Sequence, residues 1–352
     1  MRLSIIDQSP VSEGSTPAEA LANTIELARL ADRLGYTRYW IAEHHAIDAL
    51  ASPAPEILIA RVGAETKSIR IGSGGILLPH YSPLKVAEIF RTLHALYPDR
   101  IDLGVGRAPG GTPLDSYALR RDRDQERISS ADDFPQQLIE LLTFLRGGFP
   151  QNHPFGRIKV SPAMPGGPEV WLLGSSLWSA SAAAQLGLPY AFAHFIDQEP
   201  TRAAVVHYRS HFRPSQECPK PRVILALGVV CADTEPEANR LVSSARLFRR
   251  RIRQGDLRLI PTPEEAMREL NERPGSLPVE NGEWPRYFAG VADHVRDRLI
   301  DMGSVLGVDE MMAVTVVHDH KARMRSYALL AEAFDLKPNE SHTNTDRAAT
   351  AK

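Results

Sequence analysis

Short apolar runs alternate with amphipathic helical segments along this chain, and that alternation limits the fold more than any other feature. Apolar runs occupy residues 2–6, 37–42, 68–74, 100–106, 169–175, 189–195, 222–233 and 310–317. Helical patterns fill residues 16–35, 54–67, 83–98, 131–146, 176–187, 199–212, 234–255, 290–303 and 320–334. Thr16 reads as the cap of the first helix, Pro17 as its first residue and Gly35 as its stop. Strict alternation demands a parallel sheet covered by helices. Eight strands close such a sheet, so the pattern predicts a (β/α)8 TIM barrel. An open doubly wound sheet is disfavoured because no GxGxxG follows the first strand.

The expected domain spans residues 1–335. A Pro-, Glu- and Gly-rich segment at 255–288, after strand seven, reads as a long loop or lid. Residues 336–352 read as a disordered tail with nothing to bury. With 352 residues, 43% of them hydrophobic, the chain can bury a large core. A formal charge of −2 argues against nucleic acid as a partner. Two distant cysteines, Cys218 and Cys231, offer no zinc spacing and suit a reducing compartment. The N-terminus "MRLSIIDQSP" lacks a signal peptide's parts, and no run reaches the length of a membrane span. The expectation is a cytoplasmic enzyme that uses neither metal nor membrane.

In a barrel of this kind, reactive groups come from the C-terminal ends of the strands. Strand one ends at Asp7 and Gln8, and strand two at Glu43, His44 and His45. Strand three ends at "GSGG", strand four at "GVGRAPGG", strand five at "GSS" and strand six at His194. Each feature has an ordinary explanation. A lone Arg107 is usually a surface ion pair, "GSSxxS" a helix cap, paired glycines a turn. Of two adjacent histidines on a strand, only one faces the mouth, and the other packs as a hydrogen-bonded neighbour. Their coincidence on one rim points further. Arg107 with Ser175, Ser176 and Ser179 at a helix N-terminus makes an anion site, and Gly74, Gly75 and Gly106 admit a flat ligand. Together with His194 these residues suit a mononucleotide such as FMN. The residues Ile76, Leu77, Leu78 and Tyr81 suggest an apolar rim for a hydrophobic substrate. The arginines of "ARLFRRRIRQGDLR" read as a solvated basic helix face rather than a nicotinamide-phosphate site.

The blocks "WIAEHH", "GSGGILLPHYSPLKVAEIFRTLHALYPDRIDLGVGRAPGG", "GSSLWSASAAAQLGLPYAFAHF" and "RSYALLAEAF" carry a resemblance. The chain resembles the bacterial luciferase-like flavin monooxygenases, in particular their single-subunit-type members. The resemblance implies a TIM barrel that oxygenates a small hydrophobic aldehyde, ketone or similar substrate with O2. It implies reduced FMN, delivered by a separate NAD(P)H:flavin reductase, and a homodimer. It makes His44 the catalytic acid–base group, supported by Glu43 and His45, and places a cis peptide at Gly74–Gly75. The luciferases carry a reactive cysteine where Gly106 stands and an acid where Ser175 stands, so thiol chemistry is not expected here. Three alternatives remain at this level. They are an F420-dependent dehydrogenase on the same fold, a barrel hydrolase with Glu43, His44 and His45 as metal ligands, and a non-catalytic flavin-binding protein.

Overall fold

The structure, a computed structural model, describes residues 1–108, 110–119, 133–272 and 283–338. Its parallel strands are β1 (Arg2–Asp7), β2 (Arg38–Ile41), β3 (Arg70–Leu77), β4 (Ile101–Gly106), β5 (Glu169–Gly174), β6 (Tyr190–Ala193), β7 (Val223–Cys231), β8 (Tyr287–Gly290) and β9 (Glu310–Val314). The covering helices are α1 (Pro17–Leu34), α2 (Pro55–Glu65), α3 (Pro83–Leu96), α4 (Pro113–Leu119), α5 (Phe134–Arg146) and α6 (Leu177–Leu186). They continue as α7 (Thr201–His211), α8 (Glu235–Arg253), α9 (Pro263–Leu270), α10 (Ala292–Leu306) and α11 (His320–Ala333). Strands β1 to β6 pair in sequence order, β6 pairs with β7, β7 with β9, and β9 with β1. The sheet therefore closes as an eight-stranded barrel, and the TIM-barrel expectation holds. β8 stands outside that count, pairing with residues Gly228–Cys231 at the end of the long strand β7.

Local chemistry explains the elements. Thr16 accepts from the Glu19 amide while the Glu19 carboxylate accepts from the Thr16 amide, a reciprocal cap, and Gly35 ends α1 in a left-handed conformation (φ 86°). Two apolar layers follow from strand alternation. Tyr39, Ile41, Ile71, Leu103, Tyr190 and Leu225 point outward into the layer beneath the helices. Ile6, Trp40, Ala42, Trp171, Ala191, Ala226 and Met312 point inward and fill the barrel.

The N-terminal end of the barrel is plugged by charge rather than by aliphatic side chains. Arg38, 2% exposed, donates to Asp102 (2.8 Å), Glu169 (2.9 Å) and Glu310 (2.8 Å). Arg70 also binds Asp102, and Arg222 binds Glu169. Ser4 donates to Glu310 (2.7 Å) and Trp40 Nε1 to Asp102 (2.9 Å). Arg38 also stacks over the Trp171 ring at 4.8 Å, and Trp171 meets Trp40 edge-on at 5.6 Å. Three arginines thus balance three carboxylates inside the barrel, and the tryptophans that they hold form the base of the interior above.

Two sequence expectations change. The segment 255–288 lies where an insertion was expected, but it is not a long loop. It contains α9, packed on α8, and the start of β8, and Ile260 exchanges backbone hydrogen bonds with Val11 and Glu13. Residues 273–282 lie outside the described residues. The tail expected from residue 336 does not start there, because Leu336 packs on the core and the Lys337 carbonyl lies against Gly35. Residues 339–352 lie outside the described residues.

Removing Arg38 takes the shared cation from buried Asp102 and Glu310, which keep only Arg70 and Arg2 at the barrel rim, and breaking such buried pairs costs up to about 3–5 kcal/mol. Arg38→Ala is expected to lose about that much stability, as measured by urea denaturation.

Candidate functional site

Alternation decides which residues at the strand exits reach the barrel mouth. Arg38, Trp40 and Ala42 face inward, and His44 continues their parity into a cavity of about 380 Å³. Glu43 and His45 carry the opposite parity. Glu43, 3% exposed, accepts from His45 Nε2 (2.6 Å), from the Tyr81 hydroxyl (3.0 Å) and from the Leu77 amide (3.0 Å). His45 also packs edge-on against His80 at 5.6 Å and donates its amide to the Gly110 carbonyl. The acid and second histidine therefore tie the exits of β2, β3 and β4 together. Glu43 also borders the cavity, whereas His45 does not. Burial raises the Glu43 pKa against the hydrogen bonds from Leu77, His45 and Tyr81.

His44 is different. Its Nδ1 is buried with no hydrogen-bond partner among the described residues. Burial, helped by neighbouring His45, lowers its pKa to about 4, so the imidazole is neutral at physiological pH.

The phosphate-like corner assembles as the sequence suggests. Arg107, Ser175, Ser176 and Ser179 border this same cavity, as do Gly74, Gly75 and Gly106. The Gly74–Gly75 peptide is cis, as the resemblance implied. A Cβ at Gly75 would lie 2.7 Å from the Gly104 carbonyl oxygen, so glycine is required by close backbone approach. Ser176 caps α6 and accepts from the Ser179 amide. Ser179 Oγ donates to the Ser176 carbonyl (2.8 Å) and bonds the Tyr190 hydroxyl (2.9 Å), so this serine holds the cap in place. Gly174 must be glycine because a Cβ would sit 2.3 Å from Ser179 Oγ. The Arg107 guanidinium lies over the Trp178 ring at 4.4 Å, which aims it across the first turn of α6. The sequence carried no sign of that stacking beyond an aromatic residue within the first helical turn.

Several expected positions are not brought to the cavity. His194 is fully buried, with Nδ1 bonded to the Thr201 hydroxyl (2.7 Å) and Nε2 to the Pro285 carbonyl (3.0 Å). It joins β6 to the segment before β8. Asp7 is equally buried, bound by Arg323, the Tyr39 hydroxyl and the Ser9 amide; burial raises its pKa, but these partners outweigh it and lower it. Its neighbour Gln8 faces the cavity instead. Of the anticipated apolar rim only Leu77 lines it. Ile76 and Leu78 pack outward, and Tyr81 is held by Glu43. The apolar wall comes instead from Ile6, Trp40, Leu173, Phe195 and Met312.

The arginine-rich helix is only in part the solvated face expected: Arg253 is exposed, but three of its arginines are paired with glutamates. Arg246 pairs with Glu272, Arg250 with Glu269, and Arg251, 2% exposed, with Glu265 (2.5 Å) and Glu269 (2.7 Å). A second cavity, about 220 Å³, adjoins the first. Gln8, His44, Phe195 and Ile196 border both, and the face of α8 carrying Phe248, Arg249, Ile252 and Arg253 closes the second. A larger cleft of about 820 Å³ opens at the other end of the barrel. Its charged lining is largely paired internally, as in Arg146–Glu217 and Arg222–Glu169. Among the described residues no cluster of three metal-ligating side chains occurs, and no helix is long and apolar enough to cross a membrane.

Burial makes His44 and His194, each with a pKa lowered to about 4, harder to protonate in the fold than in the open chain. The unfolded chain therefore binds more protons below about pH 6.5. The stabilisation is complete above that pH and is lost as pH falls from about 6.5 toward 4. Thermal midpoints across this range are expected to fall, and His44→Asn to show a shallower acid decline.

Comparison with known proteins agrees with this geometry. The family profile described as luciferase-like monooxygenase matches residues 1–322. The chain is similar to the luciferase-like monooxygenase of Escherichia coli (strain K12), with 37% identity over 95% of this chain and 96% of that one. It is 35% identical to the N-acetyl-S-alkylcysteine monooxygenase of Bacillus subtilis (strain 168), over 95% and 98% of the two chains. The crystal structure of apo-MsnO8 superposes with a TM-score of 0.87 at 53% identity, covering 96% of this chain and 98% of that one. The protein belongs to the luciferase-like monooxygenase family.

Proposed function

We propose that this protein is an FMN-dependent monooxygenase that uses reduced flavin and O2 to oxygenate a small, largely hydrophobic substrate. The observation that carries the proposal is the convergence of an anion corner and an unpartnered neutral imidazole on one cavity. The residues fit the group. Arg107, Ser175, Ser176 and the open first-turn amides of α6 would hold the phosphate, where charge and helix dipole act together. The backbone at Gly74, Gly75 and Gly106 leaves room for a flat ring, since no side chain projects there.

Bound reduced flavin would supply the electrons and activate oxygen; the remaining tasks fall to the protein. Leu77, Leu173, Trp40 and Met312 wall the cavity and exclude water. His44, neutral at working pH, can accept a proton or hydrogen bond on its imidazole without first having to lose a proton. Glu43 and His45 position it by fixing the β2 exit to those of β3 and β4. Reduced FMN would arrive from a separate NAD(P)H:flavin reductase, by diffusion or contact, and two copies of the chain would form the working dimer.

Anaerobic titration with reduced FMN, followed by O2 in the presence of an aldehyde and ketone panel, tests the reading. Tight FMN binding with oxygen-dependent product supports it. Failure to bind FMN alongside hydride transfer with F420 would replace it. Losing a charge-assisted contact costs about 1.5–3 kcal/mol, so Arg107→Ala is expected to weaken FMN binding roughly tenfold or more. His44→Ala is expected to retain FMN affinity and lose about 10²-fold or more in turnover; normal turnover would remove His44 from the mechanism.

A further inference from the structure

The second cavity has a chemical character of its own. Residues 245, 248, 249, 252 and 253 of α8 all border it, the i, i+3, i+4, i+7, i+8 stripe of one helix face. Phe248 and Ile252 make that face apolar, and Val314 at the end of β9 and Val316 just beyond it continue it. Arg249 and Arg253 stand on the same stripe, one helical turn apart.

The contrast within α8 is informative. Arg246, Arg250 and Arg251, on the side turned to α9, are each matched by glutamates there. Arg249 and Arg253 have no carboxylate within ion-pair distance among the described residues. The hydrogen bonds of Arg249 go to the Phe195 (3.4 Å) and Ile196 (2.9 Å) carbonyls, which leaves its positive charge unneutralised. Arg286 joins the same two carbonyls, so a further guanidinium borders this corner. Burial, then the charge of Arg286, lowers the Arg249 pKa, so the cations crowded here outweigh the more distant Asp197. A half-buried arginine facing an apolar chamber without an acid is costly unless an anion is brought to it.

Resting on the monooxygenase reading above, we propose that this chamber is the substrate site and that it selects small organic carboxylates. The apolar body lies against Phe248, Ile252 and Val314, and the carboxylate is held by Arg249 and Arg253. The opposite end of the substrate then meets His44, the imidazole that borders both cavities. At about 220 Å³ the chamber is smaller than the roughly 300–1,000 Å³ typical of sites for drug-sized ligands, so the substrate is small.

Calorimetric titration of the full-length protein with hexanoate and with methyl hexanoate tests this without flavin or turnover. Hexanoate is expected to bind wild type at least about tenfold more tightly than its ester. The Arg249→Gln/Arg253→Gln double variant is expected to lose that preference while still binding the ester. Arg253→Gln alone, at an exposed position with no ion pair among the described residues, guards against misfolding and is expected to weaken hexanoate severalfold. Equal binding of acid and ester by wild type, undetectable binding of hexanoate, or undiminished hexanoate affinity in the double variant overturns the proposal. FMN titration reads the flavin assignment separately, so either can fail while the other stands.

Discussion

A closed parallel barrel gives each strand residue only two directions, into the barrel or out beneath the helices. The rest of this structure depends on that constraint. It brings His44 into the mouth through the parity that it shares with Arg38, Trp40 and Ala42. It turns Glu43 and His45 the other way, where they bind Leu77, Tyr81 and each other across neighbouring strand exits. One tripeptide thus delivers a cavity-facing imidazole and the clamp that holds its surroundings.

The same constraint separates the barrel into levels. Charges close the N-terminal end, with Arg38 at the centre of Asp102, Glu169 and Glu310. Trp40 and Trp171 stand on that layer through hydrogen bonds to Asp102 and Glu169. Small residues, Ala42, Gly74, Ala191 and Ala226, follow above and leave the space that becomes the cavity. The space exists because bulk is concentrated below and polar groups converge above. On the far side of His44 the α8 stripe encloses a second chamber, so a single imidazole sits between two spaces of different character.

Much of this was legible in the sequence, for identifiable reasons. The strand–helix period, the α1 cap and stop, the glycines at 74 and 75 and the serines opening α6 are local signals, readable within a few residues. What escaped was set by distant partners. Nothing local to Arg38 announces its role, since its partner Glu310 lies 272 residues away. The α8 arginines read as solvated because α9, which neutralises three of them, was hidden in an apparent loop. Asp7 and His194 read as mouth residues because the sequence shows where an apolar run stops, not which way its final side chain turns. Asp7 meets Arg323, 316 residues on, and His194 meets Pro285, so each faces away from the cavity.

The central claim is spatial: one cavity at the C-terminal end of the barrel holds a phosphorylated flavin between the start of α6 and His44. A crystal structure of the protein grown with FMN measures this directly. The account predicts density for the phosphate beside Arg107 and Ser176, with the ring in the cavity that His44 borders. Flavin bound instead in the cleft at the opposite end, among Arg70, Arg146 and Glu217, would contradict it.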